Sequence, residues 1–135
     1  MTAQPDPRLA RGMQVAAQMF PPGAAATAPR FEYPAEIAAD WSAFSVSTVL
    51  GDVWGRPGLE LKQRALISIA TLTALSRLGQ LRAYIVAGLN LGLTRAEICE
   101  AIFQVSVYAG FPAAIEGLGV ANAVFGEAGS TAGQA

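Results

Sequence analysis

The chain has 135 residues, 53% of them hydrophobic and 14% charged, with nine basic and ten acidic side chains, a net charge of −1, no histidine and one cysteine. That length fits one domain with a real core. The balanced charge and the lack of a basic stripe exclude nucleic acid as an expected partner, and Cys99 alone can form neither an intrachain disulfide nor a CxxC redox pair.

Six segments read as helical. The first covers Arg8 to Phe20, with Leu9, Met13, Ala16, Ala17 and Phe20 at helical spacing, and Pro21-Pro22-Gly23 stops it. Residues 1–30 thus form an N-terminal arm with a short helix. The second runs from Pro34 to Trp54, with Ile37, Trp41, Phe44, Thr48 and Val49 on a helical stripe, and closes at Gly55-Arg56-Pro57-Gly58. The third begins at Leu59 or Glu60 and reaches Leu78. Its centre, Ala65 to Leu75, is apolar on nearly all sides, which predicts burial at the middle of the domain or of an assembly. Gly79 separates it from a fourth helix, Gln80 to Leu91, which ends at Gly92 in a left-handed cap. Thr94-Arg95-Ala96-Glu97 is a capping box opening a fifth helix to Tyr108. Gly110-Phe111-Pro112 breaks that helix, and Pro112 starts a sixth that ends near Glu127. Residues 128–135 are expected to be a disordered tail. The prediction is an all-α bundle of five to six helices, its main domain at 31–127, with a central αα-hairpin formed by the fourth and fifth helices.

The charged fraction is well below the about 25% of an ordinary soluble domain, so part of the apolar surface is expected to lie against other subunits. The run Ala65–Leu75 is too short to span a bilayer and carries Ser68, Thr71 and Thr73, so no membrane association is expected. Met1 to Phe20 has no signal-peptide pattern, and the lone cysteine fits a cytoplasmic setting.

Three blocks between residues 40 and 125 resemble the carboxymuconolactone decarboxylase family of the alkylhydroperoxidase-like superfamily. Gly51-Asp52-Val53-Trp54-Gly55-Arg56-Pro57-Gly58-Leu59 is similar to the family's G-E-x-W-x-R-P-G-L. Arg64-Ala65-Leu66-Ile67 and Leu81 to Gly92 are similar to R-S-L-x and L-R-x-H-x-x-A-L-N-x-G. Thr94 to Ile98 and Tyr108 to Ala114 are similar to T-x-x-E-I and Y-x-G-x-P-A-A. The resemblance implies a helical protomer assembling into trimers or hexamers, a small-molecule substrate held between helices near a subunit interface, and decarboxylation of a carboxylated muconolactone as the named reaction. Three positions depart from the pattern: Tyr84 stands at the family's histidine, Asp52 at its glutamate, and Ala109 at a common cysteine. The peroxidase branch uses a CxxC pair and a histidine, so thiol peroxidase activity is not expected.

The candidate catalytic residues are Asp52, Arg64 and Tyr84. Asp52 lies at a helix C-terminus, where an acid is unfavourable. It reads as a proton-transfer carboxyl with a raised pKa, as a solvated loop acid or as a partner of Arg56. Arg64 enters the apolar helix and reads either as the clamp on a substrate carboxylate or as an intersubunit ion pair. Tyr84, with an ordinary pKa of about 10, is a poor base at neutral pH but a workable acid or oxyanion donor; the alternative is aromatic packing. Trp54, Tyr108 and Phe111 read as core or pocket wall, Glu116 as a polar pocket residue or a solvated acid, and these four form the expected substrate-binding set. Cys99 reads as structural and Arg82 as a surface or interface residue. No metal site and no cofactor are expected. The combined reading is a cofactor-free lyase acting by proton transfer on a small oxygenated cyclic acid or lactone. The alternatives are a diverged cyclase or isomerase, or a non-catalytic oligomeric binding protein.

Overall fold

The structure, a computed structural model, describes residues 4–133; the first residues of the expected arm and the last of the expected tail lie outside it. Helix α1, Pro7–Met19, begins at Asp6, whose Oδ1 accepts a hydrogen bond from the Arg8 backbone N–H at 2.9 Å. Pro7 occupies the first turn, where its missing N–H leaves nothing unpaired.

Helix α2, Ala38–Ser45, continues without a break into a π-helical segment, Val46–Trp54. The sequence pattern predicts one regular helix from Pro34. The structure differs at both ends, with a turn at 35–37 and a wider coil from Val46. Val46, Thr48, Val49 and Gly51 are weak α-helix formers, which lowers the cost of leaving α geometry. Close packing by α1 also acts on this stretch. A Cβ on Gly51 would sit 2.3 Å from the Arg8 carbonyl oxygen, and one on Gly12 would sit 2.4 Å from that of Val46. The two backbones meet through glycines.

Helix α3, Leu61–Ala74, opens with a reciprocal cap in which Gln63 Oε1 accepts from the Glu60 N–H at 2.9 Å. It ends four residues short of the expected Leu78. The Arg77 N–H reaches the Leu72 carbonyl and the Ser76 N–H the Thr73 carbonyl, with Ser76 at φ 55. This is a Schellman stop with serine in the left-handed position. Gly79 therefore lies inside the first turn of α4, Leu78–Asn90, rather than between helices. The C-terminus of α4 follows the expected pattern: Gly92 has φ 99 and the Leu93 N–H returns to the Gly88 carbonyl. Helix α5, Arg95–Ala109, has the Thr94–Glu97 capping box.

Helix α6, Phe111–Gly133, extends six residues beyond the expected stop at Glu127. No proline follows Pro112, and Ala128 packs against the core, so residues 128–133 continue the helix where a disordered tail was expected.

Among the described residues the chain is six helices with no strand. The core is centred on α4, which buries Leu81, Ala83, Ile85, Val86 and Ala87. Around it lie Ile69 of α3, Ile98 and Ile102 of α5, Val124 of α6, and Val15 and Met19 of α1. The expectation that α3 is covered all round is corrected for the protomer. Ala65, Ile69 and Thr73, spaced four apart, form its buried face, while Ile67 is 54% exposed. The Asn90 side-chain amide donates to the Met19 carbonyl at 2.9 Å and ties the end of α1 to the end of α4. No helix among the described residues is long and apolar enough to cross a membrane.

Candidate functional site

A cleft of about 390 Å³ opens between the end of α1, the loop at 28–33, the α2–π helix and α4. Its walls are aromatic and aliphatic: Phe20, Phe31, Tyr33, Trp41 and Val49. Tyr33 and Trp41 meet edge to face with ring centroids 6.2 Å apart. Four side chains with polar atoms line it, Tyr33 in the loop, Ser45 at the end of α2 and Gln80 and Tyr84 on α4. Gln80 and Tyr84 are one helical turn apart and share a face.

Tyr84 is held from behind by Trp54, which is 5% exposed; the two rings lie 5.7 Å apart at 34°. Burial pushes the Tyr84 hydroxyl above its ordinary pKa, because the phenolate would lose hydration. A phenol is neutral at pH 7 in any case, and burial reinforces this. Its hydroxyl hydrogen-bonds to no other described residue, which leaves it available to a ligand.

Asp52 does not share the cleft. Its carboxylate faces α1, where Arg8 grips it with two prongs, Nε to Oδ1 at 2.9 Å and Nη2 to Oδ2 at 2.6 Å. Arg11 Nη2 lies 3.8 Å from Oδ1, and Arg11 Nε donates to the Gly51 carbonyl at 3.1 Å. The Arg8 hydrogen bond holds the Asp52 carboxyl below its ordinary pKa. The expected raised pKa in an apolar surround is thus corrected: the side chain is exposed and paired, and its partners are Arg8 and Arg11, not Arg56. Arginines spaced three apart on one helix put two positive charges on one face, a signal present in the sequence but missed.

Arg64 lies outside the cleft as well. Its Nη2 donates to the Arg56 carbonyl at 3.0 Å, and its Nε is buried without a hydrogen-bond partner. Asp52, Arg64 and Tyr84 therefore do not line one cavity within the protomer. Glu116 is exposed on α6. Tyr108, 84% exposed, lines a second, apolar groove of about 550 Å³ between α3 and α5. Phe111 is exposed at the start of α6. Trp54 backs Tyr84 instead of lining the cleft wall. Gln80 and the wall residues Phe31 and Tyr33 were missed by sequence reasoning. The step of four from Gln80 to Tyr84 was the available signal.

Other polar groups are accounted for locally. Arg82 pairs with Glu127, and Cys99 is part-buried in a shallow recess beside Arg95. No group of three or more His, Cys, Asp or Glu side chains lies together among the described residues. The cleft can thus do three things: exclude water from an apolar ligand, offer hydrogen bonds from Gln80 and Tyr84, and supply a proton from Tyr84.

The sequence profile of the Carboxymuconolactone decarboxylase family matches residues 39–123. The chain is 40% identical over 90 residues to a 4-carboxymuconolactone decarboxylase of Acinetobacter baylyi, a match covering 67% of each chain. It is 38% identical over 79 residues to an uncharacterized 15.0 kDa protein of Paracoccus denitrificans, covering 57% of this chain and 59% of that one. It is 37% identical over 68 residues to a nitrosuccinic acid decarboxylase of Metarhizium robertsii, covering 50% of this chain and 48% of that one. The family match begins after α1, so Arg8 and Arg11, which hold Asp52, lie outside it.

Proposed function

The chain belongs to the carboxymuconolactone decarboxylase family, and from that premise we propose that it is a lyase releasing CO2 from a small oxygenated acid bound in the aromatic cleft, with Tyr84 as the proton donor. The observation that carries this reading is the Tyr84 hydroxyl: half-buried against Trp54, without a hydrogen-bond partner among the described residues, and on the wall of an apolar cleft. The two decarboxylases among the relatives support the reaction class.

The chemistry is redox-neutral. The bond to the carboxylate breaks, its electron pair passes into an electron-accepting group of the substrate, and CO2 leaves. The Tyr84 hydroxyl then protonates the carbanionic carbon and recovers its proton from solvent. The apolar walls favour loss of a charged carboxylate as neutral CO2. A positioned general acid contributes about 10²- to 10⁴-fold to such a step. Trp54 fixes the phenol ring. Asp52 serves as the anchor that fastens α1 to the π segment.

Self-association and a cytoplasmic setting belong to the same proposal. Phe103, Val107 and Tyr108 of α5 and Phe111 and Ile115 of α6 are exposed on a chain poor in charge. A second copy covering this face removes apolar surface from water. Sedimentation of the parent chain is expected to give a species larger than the 14.0 kDa protomer, and Val107→Glu is expected to dissociate it.

A second reading, a non-catalytic binding protein, is favoured by one observation: Asp52 and Arg64 are each engaged outside the cleft. One experiment separates the two. CO2 release is followed from a carboxylated muconolactone, from nitrosuccinic acid, and from the same acids with the second carboxyl esterified, using the parent chain and Tyr84→Phe. Release by the parent that is lost in Tyr84→Phe supports the lyase. No release from any of them, with the acids still bound, supports the binding protein.

A further inference from the structure

The proposed ligand is an acid, yet none of the side chains lining the cleft is Lys or Arg. Tyr33, Ser45, Gln80 and Tyr84 can hydrogen-bond to a carboxylate but cannot neutralise it. A carboxylate that loses water without gaining a counter-charge binds at great cost. The chain has a cation beside the wall where that charge is missing. Arg30 stands between Pro29 and Phe31, both of which line the cleft. It is exposed, and it makes no hydrogen bond, ion pair or ring contact with any described residue. Most other arginines are engaged: Arg8 and Arg11 by Asp52, Arg64 by the Arg56 carbonyl, Arg82 by Glu127, and Arg95 over the Phe125 ring. The Arg56 side chain borders a separate recess with Arg11 and Asp52.

Residues 27–34 form neither helix nor turn, and alternate residues of this stretch, Pro29, Phe31 and Tyr33, line the cleft. The Arg30 side chain therefore leaves the backbone at the outer edge of the wall, which puts its charge at the mouth. An arginine can lay its stem along apolar surface and keep its head in water, and Phe31, 42% exposed, offers that surface next door. Glu32 lies on the same edge and is exposed. A contact between two such exposed side chains is worth at most about 1 kcal/mol, so an incoming carboxylate can replace it.

We propose that Arg30 is the anion-recognition residue of the cleft: its guanidinium folds over the mouth and holds a carboxylate that the reaction retains. The proposal rests on the same cleft being the ligand site. Retention follows from electrostatics. A guanidinium gripping a carboxylate stabilises the ion and so opposes its loss as neutral CO2. The carboxylate that leaves is then a different one, set against the apolar walls. Arg30 precedes residues 39–123, which the family profile matches, so the recognising charge comes from this chain's N-terminal arm.

Binding tests this without turnover. The anion 3-phenylpropanoate and the neutral 3-phenylpropanamide share one skeleton and differ in charge. Trp41 on the cleft wall and Trp54 behind Tyr84 are the two tryptophans of the chain, so intrinsic fluorescence reads the cleft. The parent is expected to bind the anion at least about tenfold more tightly than the amide, with added salt narrowing the gap. Arg30→Gln is expected to weaken the anion about tenfold and leave the amide alone, while Arg30→Lys keeps most of the preference. Arg77, three residues before Gln80 at the start of α4, is the control cation, and Arg77→Gln is expected to change neither probe. Circular dichroism checks that the variants fold. Unchanged anion binding in Arg30→Gln overturns the proposal. So does an equal loss for both probes, a loss that follows Arg77→Gln instead, or a titration in which neither probe perturbs the tryptophans. Failure of the lyase reading looks different. An Arg30-dependent anion preference with no CO2 released from any acid removes the lyase and leaves the recognition. Tyr84-dependent release with the same KM in the parent and Arg30→Gln removes the recognition and leaves the lyase.

Discussion

Asp52 and Trp54 are two residues apart at the end of the π segment, yet they serve two different regions. Asp52 turns outward to Arg8 and Arg11, and its carboxyl is held charged. Trp54 turns inward, is buried, and supports a Tyr84 hydroxyl that is held neutral. In one region exposure and a bidentate arginine favour the ion; in the other, loss of water disfavours it. The difference teaches that two residues close in sequence at one helix end can serve opposite electrostatic surroundings within one protomer. Under the proposed reading the acid is a fastener and the tyrosine the chemical group.

The sharpest test of that division is a pair of substitutions. Tyr84→Phe is expected to lower kcat by about 10²- to 10⁴-fold, with ligand binding still seen by tryptophan fluorescence. Asp52→Asn is expected to leave kcat near the parent value. A large kcat loss from Asp52→Asn in a folded protein would merge the two regions into one site.

A smaller effect, on stability, comes from the contact the two regions share. Gly51→Ala places a methyl group 2.3 Å from the Arg8 carbonyl oxygen. It is expected to cost about 1–3 kcal/mol in urea unfolding, as over-packed cores do, and to loosen the Arg8–Asp52 pair together with the cleft wall at Val46 and Val49. Gly58→Ala, where nothing lies within 4 Å of the added Cβ, is the control and is expected to lose much less.

The smallest effect is in acid. Asp52 has a folded pKa below its unfolded value, so its stabilising contribution is complete above the unfolded pKa and disappears as pH falls through the folded one. Acid unfolding of the parent is expected to include this component below the ordinary carboxylate range. Arg8→Gln and Asp52→Asn are expected to lack it, and added salt to shrink it, because the pair is exposed.

The sequence made some of this visible and concealed the rest for physical reasons. The Thr94–Glu97 box, the Gly92 cap and the Gly110-Phe111-Pro112 break are local rules written in side chains, and the structure has all three. Ser76 carries no turn signature, so the stop of α3 was placed at Gly79 instead. A 3.6-residue pattern does not register the widening to π geometry after Ser45. An apolar run does not distinguish a helix buried on every side from one that buries Ala65, Ile69 and Thr73 and turns Ile67 toward a groove. For the site, the family resemblance singled out Trp54 and Tyr84, which do touch. The separation of 44 positions between Arg8 and Asp52 hid the contact that takes the acid away from them.

The most direct measurement of the central claim is the pH dependence of CO2 release, parent beside Asp52→Asn, on whichever acid of the panel is turned over fastest. With Tyr84 as a protonated donor of raised pKa, the Tyr84-dependent step is flat through neutral pH and falls only on the alkaline side, above the usual tyrosine value of about 10, and Asp52→Asn traces the same curve. An acidic limb in the ordinary carboxylate range, present in the parent and absent from Asp52→Asn, would contradict the account and return the proton transfer to Asp52.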